Sequence, residues 1–151
     1  MHKALTNVGV VFGGNSGEHN VSIKSAETII KALKTGVNAN HFKVACFYID
    51  KEGTWWPPEI AREALKKGLE LEGNELPSKN TAKGFRGFPK GAESIDIWYP
   101  VLHGPNGEDG TVQGLFTLMD KPYVGSDVLG SALGMDKLAM KAAFTAAGLP
   151  Q

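Results

Sequence analysis

The sequence has one cysteine, Cys46, in 151 residues. That excludes an intrachain disulfide and any zinc cage built from several thiolates. It has no excess of either charge, 16 basic side chains standing against 16 acidic ones. A nucleic-acid-binding domain usually shows a basic surplus, so no nucleic-acid partner is expected. No apolar run approaches the roughly 18 residues that span a bilayer, so no membrane role is expected either. The opening Met1-His2-Lys3-Ala4-Leu5-Thr6-Asn7 carries no apolar core and no small-residue cleavage site. The expectation is therefore a cytoplasmic chain without a secretory leader. Also missing are a strict G-x-G-x-x-G, a Walker A loop, internal repeats, and His, Cys or carboxylate spacing suited to a metal.

What is present is one domain's worth of apolar material, 42% of the residues, enough for a packed core. Val8 to Phe12 is a continuous apolar run closed by Gly13-Gly14, the pattern of a strand buried on both faces. Ile23, Ala26, Ile30 and Leu33 then recur at helical spacing, with Lys24, Glu27, Lys31 and Lys34 opposite. Phe42 to Ile49 reads as a second buried strand, completing a βαβ unit with parallel strands and a right-handed crossover. Asp50 to Gly53 predicts a hairpin turn into a short edge strand, Thr54 to Trp56, ended by Pro57-Pro58. Glu59 to Lys67 predicts a short surface helix. Gly68 to Glu93 reads as a long excursion, with a small hairpin expected near Phe85 to Phe88. Ile95 to Leu102 is a third principal strand with a gap in its ladder at Pro100. A helix follows from about Val112 to Met119, then a short strand at Tyr123 to Gly125 and a helix from Asp136 to Ala147. The expected fold is α/β: a Rossmann-like, doubly wound, mainly parallel sheet flanked by helices, with a short edge hairpin. The tryptophans at 55, 56 and 98 read as packing.

In such sheets ligands bind at the carboxyl ends of the strands. Two loops there are unusually polar, Gly13 to Ser22 and His103 to Gly110. Glu18 lies near the positive end of a helix, where a carboxylate is favoured and can hold an ammonium group or cap the helix. His19 reads more readily as a histidine tying neighbouring loops than as a reacting group, and Ser22 as a cap. His103 ends an apolar strand, where an imidazole either faces a cleft or is satisfied within the fold. Glu108 and Asp109 are adjacent and point apart, so compensation of the following helix is the better reading for both.

Taken together, Phe12-Gly13-Gly14-Asn15-Ser16-Gly17-Glu18-His19-Asn20-Val21-Ser22 and Val101 to Gly114 resemble the signatures of the D-alanine–D-alanine ligases. Pro122-Tyr123-Val124-Gly125-Ser126 and Ser131 to Lys137 continue the resemblance in the same order. It covers nearly the whole chain, loosening between Trp55 and Glu93. It implies the N-terminal, pre-ATP-grasp domain of an ATP-grasp ligase over residues 1–135. Residues 136–151 would then be a helix leading toward an ATP-grasp domain absent from this chain. Such enzymes join two D-alanines for peptidoglycan, using ATP and magnesium, by way of an acyl phosphate, and are typically cytoplasmic homodimers. Carried over by position, Glu18 and His103 would be catalytic and substrate-binding, Val21 would line the same D-alanine pocket, and Lys137 would reach the nucleotide phosphates. ATP and Mg2+ would be held mainly outside these residues, so the chain alone is expected to fold without turning over. The alternatives are a stand-alone amino-acid-binding module, a D-alanine–D-lactate or D-serine ligase and, far less favoured, a nicotinamide-dinucleotide domain.

Overall fold

A computed structural model of the chain describes residues 4–77 and 84–151. The first three residues of the leader reading, and 78–83 of the expected excursion, lie outside that description. The elements run β1 Thr6–Gly13, α1 His19–Leu33, β2 Phe42–Ile49, β3 Trp55–Trp56, α2 Pro58–Lys67, β4 Ile97–Pro100, α3 Thr111–Leu118, α4 Val128–Met135 and α5 Lys137–Ala146. The sheet order is β3-β2-β1-β4. β1 pairs in parallel with both β2 and β4, and β3 adds an antiparallel edge. This is the expected α/β sheet.

The alternation of β1 divides the core. Val8, Val10 and Phe12 face α1 and α2, where they meet Ile23, Ala26, Ala61 and Ala64. Val11 faces the other layer with Phe47, Trp98, Val112 and Phe116. Gly9 lies in mid-strand because a Cβ there would sit 2.9 Å from both Ile95 and Trp98. Its absence admits the Trp98 ring. That ring is fully buried and stacks on Phe116 with centroids 5.2 Å apart.

Several expectations need correction. Tyr123 to Gly125 forms no strand; it contributes a single parallel bridge, Trp98 to Tyr123. Phe85 to Phe88 forms no hairpin. Both rings pack edge-on around Trp55, at 5.8 and 5.4 Å, so their apolar character serves a ring cluster. The edge strand reduces to Trp55–Trp56, and α2 is anchored through Ala61 and Ala64. A helix unforeseen in the sequence, α4, precedes α5. Asp127 caps it by accepting from the Gly130 amide at 2.7 Å. Asp136 caps α5 in turn through the Leu138 and Ala139 amides. Ser22 is not a cap: α1 begins at His19, which places Ser22 inside the helix and fully buried. None of the described helices is long and apolar enough to cross a membrane.

Candidate functional site

The chain leaves β1 to one side of the sheet to form β2 and to the other side to form β4, so the strand order reverses at β1. The crevice between the carboxyl ends of β1 and β4 is the ligand position in such sheets. The two polar loops meet over it. Gly13 and Gly14 adopt φ of +94° and +93°, a region open to glycine but strained for side chains. A Cβ on Gly13 would collide with the Ile49 carbonyl. The Gly14 amide donates to that same carbonyl at 2.8 Å, which turns the loop away from the sheet.

Ser22 sets the width of the crevice. The Val101 amide donates to the Val11 carbonyl, a normal rung of the parallel ladder. The next rung would join the Gly13 amide to the Val101 carbonyl. Instead the Ser22 hydroxyl stands between them, accepting from Gly13 at 2.8 Å and donating to Val101 at 2.5 Å. One side chain from α1 thereby satisfies both backbone groups while holding the strand ends apart.

The loops are cross-braced above this wedge. Ser16 Oγ donates to the His103 carbonyl at 2.6 Å, and Asn106 Nδ2 donates to Asn15 Oδ1 at 2.9 Å. Glu108 accepts from the Gly104 amide at 2.7 Å. Asp109 accepts from Asn106 and Thr111, so the acidic pair holds the loop's shape, and only the Thr111 contact serves the start of α3. Burial would raise the Asp109 carboxyl, but its several hydrogen bonds together hold it below the ordinary range.

The structure brings Glu18 and the His103 loop together. Glu18 is exposed, makes no side-chain cap to α1, and lies over the backbone of Gly104; a Cβ there would stand 3.1 Å from Oε2. His103 is half-buried, with Nε2 3.2 Å from Ser25 Oγ. Val21 is exposed on the first turns of the same helix. Lys137 stands elsewhere, exposed at the first position of α5; among the described residues no hydrogen bond or ion pair joins it to either loop. An open apolar cleft of about 770 Å³ runs from Gly14, Asn15 and His103 past Leu102 to Trp55 and Val128, and Glu18 lies outside its lining.

Three supports complete the site; His19 takes the tying role expected of it, while its partner Tyr48 and the contacts from the excursion were not legible. His19 is fully buried, with Nδ1 2.5 Å from the Gly14 carbonyl and Nε2 2.9 Å from the Tyr48 hydroxyl. Burial lowers its pKa from 6.5, the Gly14 hydrogen bond opposing. Burial likewise pushes Tyr48 up to about 12. The excursion also takes part, the Leu71 amide donating to Tyr48 and the Glu70 amide to Asn20, while Lys51 from the turn after β2 reaches the Ser16 carbonyl at 3.3 Å. Nothing in the sequence singled out these contacts; Leu69 and Leu71 are two of several scattered apolar residues in a polar stretch.

Comparison with known proteins bears on the fold and the family. The family model described as "D-ala D-ala ligase N-terminus" matches residues 7–126. The D-alanine--D-alanine ligase of Synechococcus sp. (strain WH7803) is 62% identical over all 151 residues, which cover 43% of that protein. Among solved structures, the D-alanine-D-alanine ligase from Coxiella burnetii superposes with a TM-score of 0.71 at 30% identity, over 98% of this chain and 43% of that one. The VanG D-Ala:D-Ser ligase from Enterococcus faecalis gives 0.68 at 31%, over 96% and 43%. The chain thus spans under half the length of these relatives, and it belongs to the family of D-Ala–D-Ala ligase N-terminal domains.

Proposed function

We propose that this chain supplies the first-substrate site of a cytoplasmic, ATP-dependent ligase that joins two D-alanines for peptidoglycan synthesis. The observation that carries this reading is the placement of the Glu18 carboxylate against Gly104, beside His103, at the sheet's switch point. A carboxylate there pairs with the ammonium group of an amino acid, and a neighbouring imidazole N–H donates to its carboxylate. Both ends of one small zwitterion are thereby addressed. Val21, exposed one turn along α1, lines the same site, where a methyl side chain packs. Glu18 and His103 are the residues that touch the substrate.

Among the described residues, no three His, Cys, Asp or Glu side chains form a group that could hold a metal ion by themselves, whereas magnesium is commonly held by one or two carboxylates together with substrate phosphates. In this reading, which rests on the family resemblance, the nucleotide and its metal are held mainly by the part of the ligase beyond these residues. Residues 136–151 lead toward that part, and Lys137 offers a flexible ammonium to the phosphates. When bound, ATP supplies the phosphoryl group that activates the substrate carboxylate. The ligase acts as a homodimer in this reading. The VanG neighbour favours a second reading for the other amino acid, D-serine in place of the second D-alanine.

The test is a chimera in which this chain replaces the matching residues of the Synechococcus ligase. It should release phosphate in the presence of D-alanine, whereas the 151-residue chain by itself should not. Glu18→Gln should raise the KM for the first D-alanine by about tenfold or more, the range of a hydrogen bond to a charged group. An unchanged KM would overturn the assignment of Glu18.

A further inference from the structure

The buried His19 has no part in the substrate contacts above, yet it ends a chain of hydrogen bonds whose proton order is forced. At one end the Leu71 amide can only donate, and it donates to the Tyr48 hydroxyl at 3.2 Å. At the other end the Gly14 carbonyl can only accept, so His19 Nδ1, 2.5 Å away, must carry a proton. In a neutral imidazole that leaves Nε2 bare. The Tyr48 hydroxyl, 2.9 Å from Nε2, then donates its proton to it. Each donor and acceptor is used once. Protonating Nε2 would leave the Tyr48 proton facing a donor on either side, inside the core.

The chain ends on a consequential carbonyl. Gly14 sits at φ +93°, and with neighbouring Gly13 in the same region the local backbone has other conformations within reach. Turning the Gly14–Asn15 peptide would redirect Asn15 and Ser16, which hold Asn106 and His103, and with them the approach to Glu18. We propose that His19 and Tyr48 form a proton-ordered latch that fixes the first glycine loop for amino-acid binding, making His19 a positioning residue. Its significance for substrate rests on the function proposed above. The charged groups facing the imidazole are Lys51 and Asp50 at the end of β2 and Glu70 from the segment after α2.

Nitrogen-15 NMR of this chain tests the latch directly. The expected His19 signals are a protonated Nδ1 and a bare Nε2; a proton on Nε2 at neutral pH would overturn it. Tyr48→Phe keeps the ring packed on Phe12 and removes only the hydroxyl. It should lower hydrogen-exchange protection of the Gly14 and Glu18 amides by about tenfold, as expected for loss of a buried hydrogen bond. Unchanged protection would overturn the proposal. In the chimeric ligase, Tyr48→Phe and His19→Gln should raise the KM for the first D-alanine by about tenfold and leave kcat within about twofold. A fall in kcat at constant KM would overturn the positioning role. If Glu18→Gln alone leaves KM unmoved, the substrate assignment has failed, and the tautomer and exchange results still decide the latch.

Discussion

Replacing Ser22 by alanine is the most direct probe of how the crevice is built. The variant removes one oxygen and leaves two backbone groups, the Gly13 amide and the Val101 carbonyl, without their partner. Each buried orphan costs about 1–3 kcal/mol, so strands held apart would lose about 2–6 kcal/mol. The strands can recover part of this by closing into the ordinary rung. Closure is limited because the adjoining Gly14 amide is tied to the Ile49 carbonyl on the other side, at 2.8 Å. A net loss of about 2 kcal/mol is the expected result. With a urea m-value of about 2 kcal/mol/M for a domain of this size, the midpoint should fall by about 1 M at unchanged slope. Equilibrium unfolding of the chain and its variant measures this. A shift below about 0.25 M, with the Gly13 amide still protected from exchange, would mean the rung forms without the hydroxyl. The wedge argument would then fail.

Other expectations follow from the same packing. Gly104→Ala places a side chain at φ +73° and 3.1 Å from Glu18 Oε2; it should cost about 1–2 kcal/mol of stability and raise the chimera's KM for the first D-alanine, both readable side by side. Gly107→Ala has an ordinary φ but sets its Cβ 2.5 Å from that of Leu102, so urea unfolding should show a loss of about 1–3 kcal/mol from overpacking. Asp50 is buried and accepts from the Glu52 and Thr54 amides and from Trp56 Nε1. Asp50→Asn turns one acceptor into a donor facing a donor and should cost about 1–3 kcal/mol in the same assay. Because the folded state lowers the His19 pKa, the unfolded chain takes up the proton first. His19 therefore contributes stability that is full above pH 6.5 and is lost as pH falls through the lower folded value. Urea midpoints measured against pH should show that decline, and His19→Gln should flatten it.

The sequence by itself determined the parallel sheet and the edge at which its two polar loops meet. Val8 to Phe12 and Phe42 to Ile49 are apolar on both faces, and the amphipathic stretch between them leaves no arrangement but a crossover. Glycines at 13 and 14 end the first strand where only glycine fits, so the polar loop beyond them had to lie at the sheet's carboxyl edge. The helix α4 and its Asp127 cap went unread, because Gly130 and Gly134 and the lack of a polar face hid the pattern. What only the tertiary structure decided are the contacts between residues far apart in the chain. Ser22 resembles a cap because local spacing cannot reveal that Val101 lies across from it. His19 and Tyr48 are unremarkable residues until the fold sets one against the other and Leu71 arrives from an excursion with no periodicity. Glu108 and Asp109 likewise look like helix charges until the loop closes on them. Periodicity records which face of an element is buried, and hydrogen-bond partners across the sheet are chosen by packing, which no local pattern encodes.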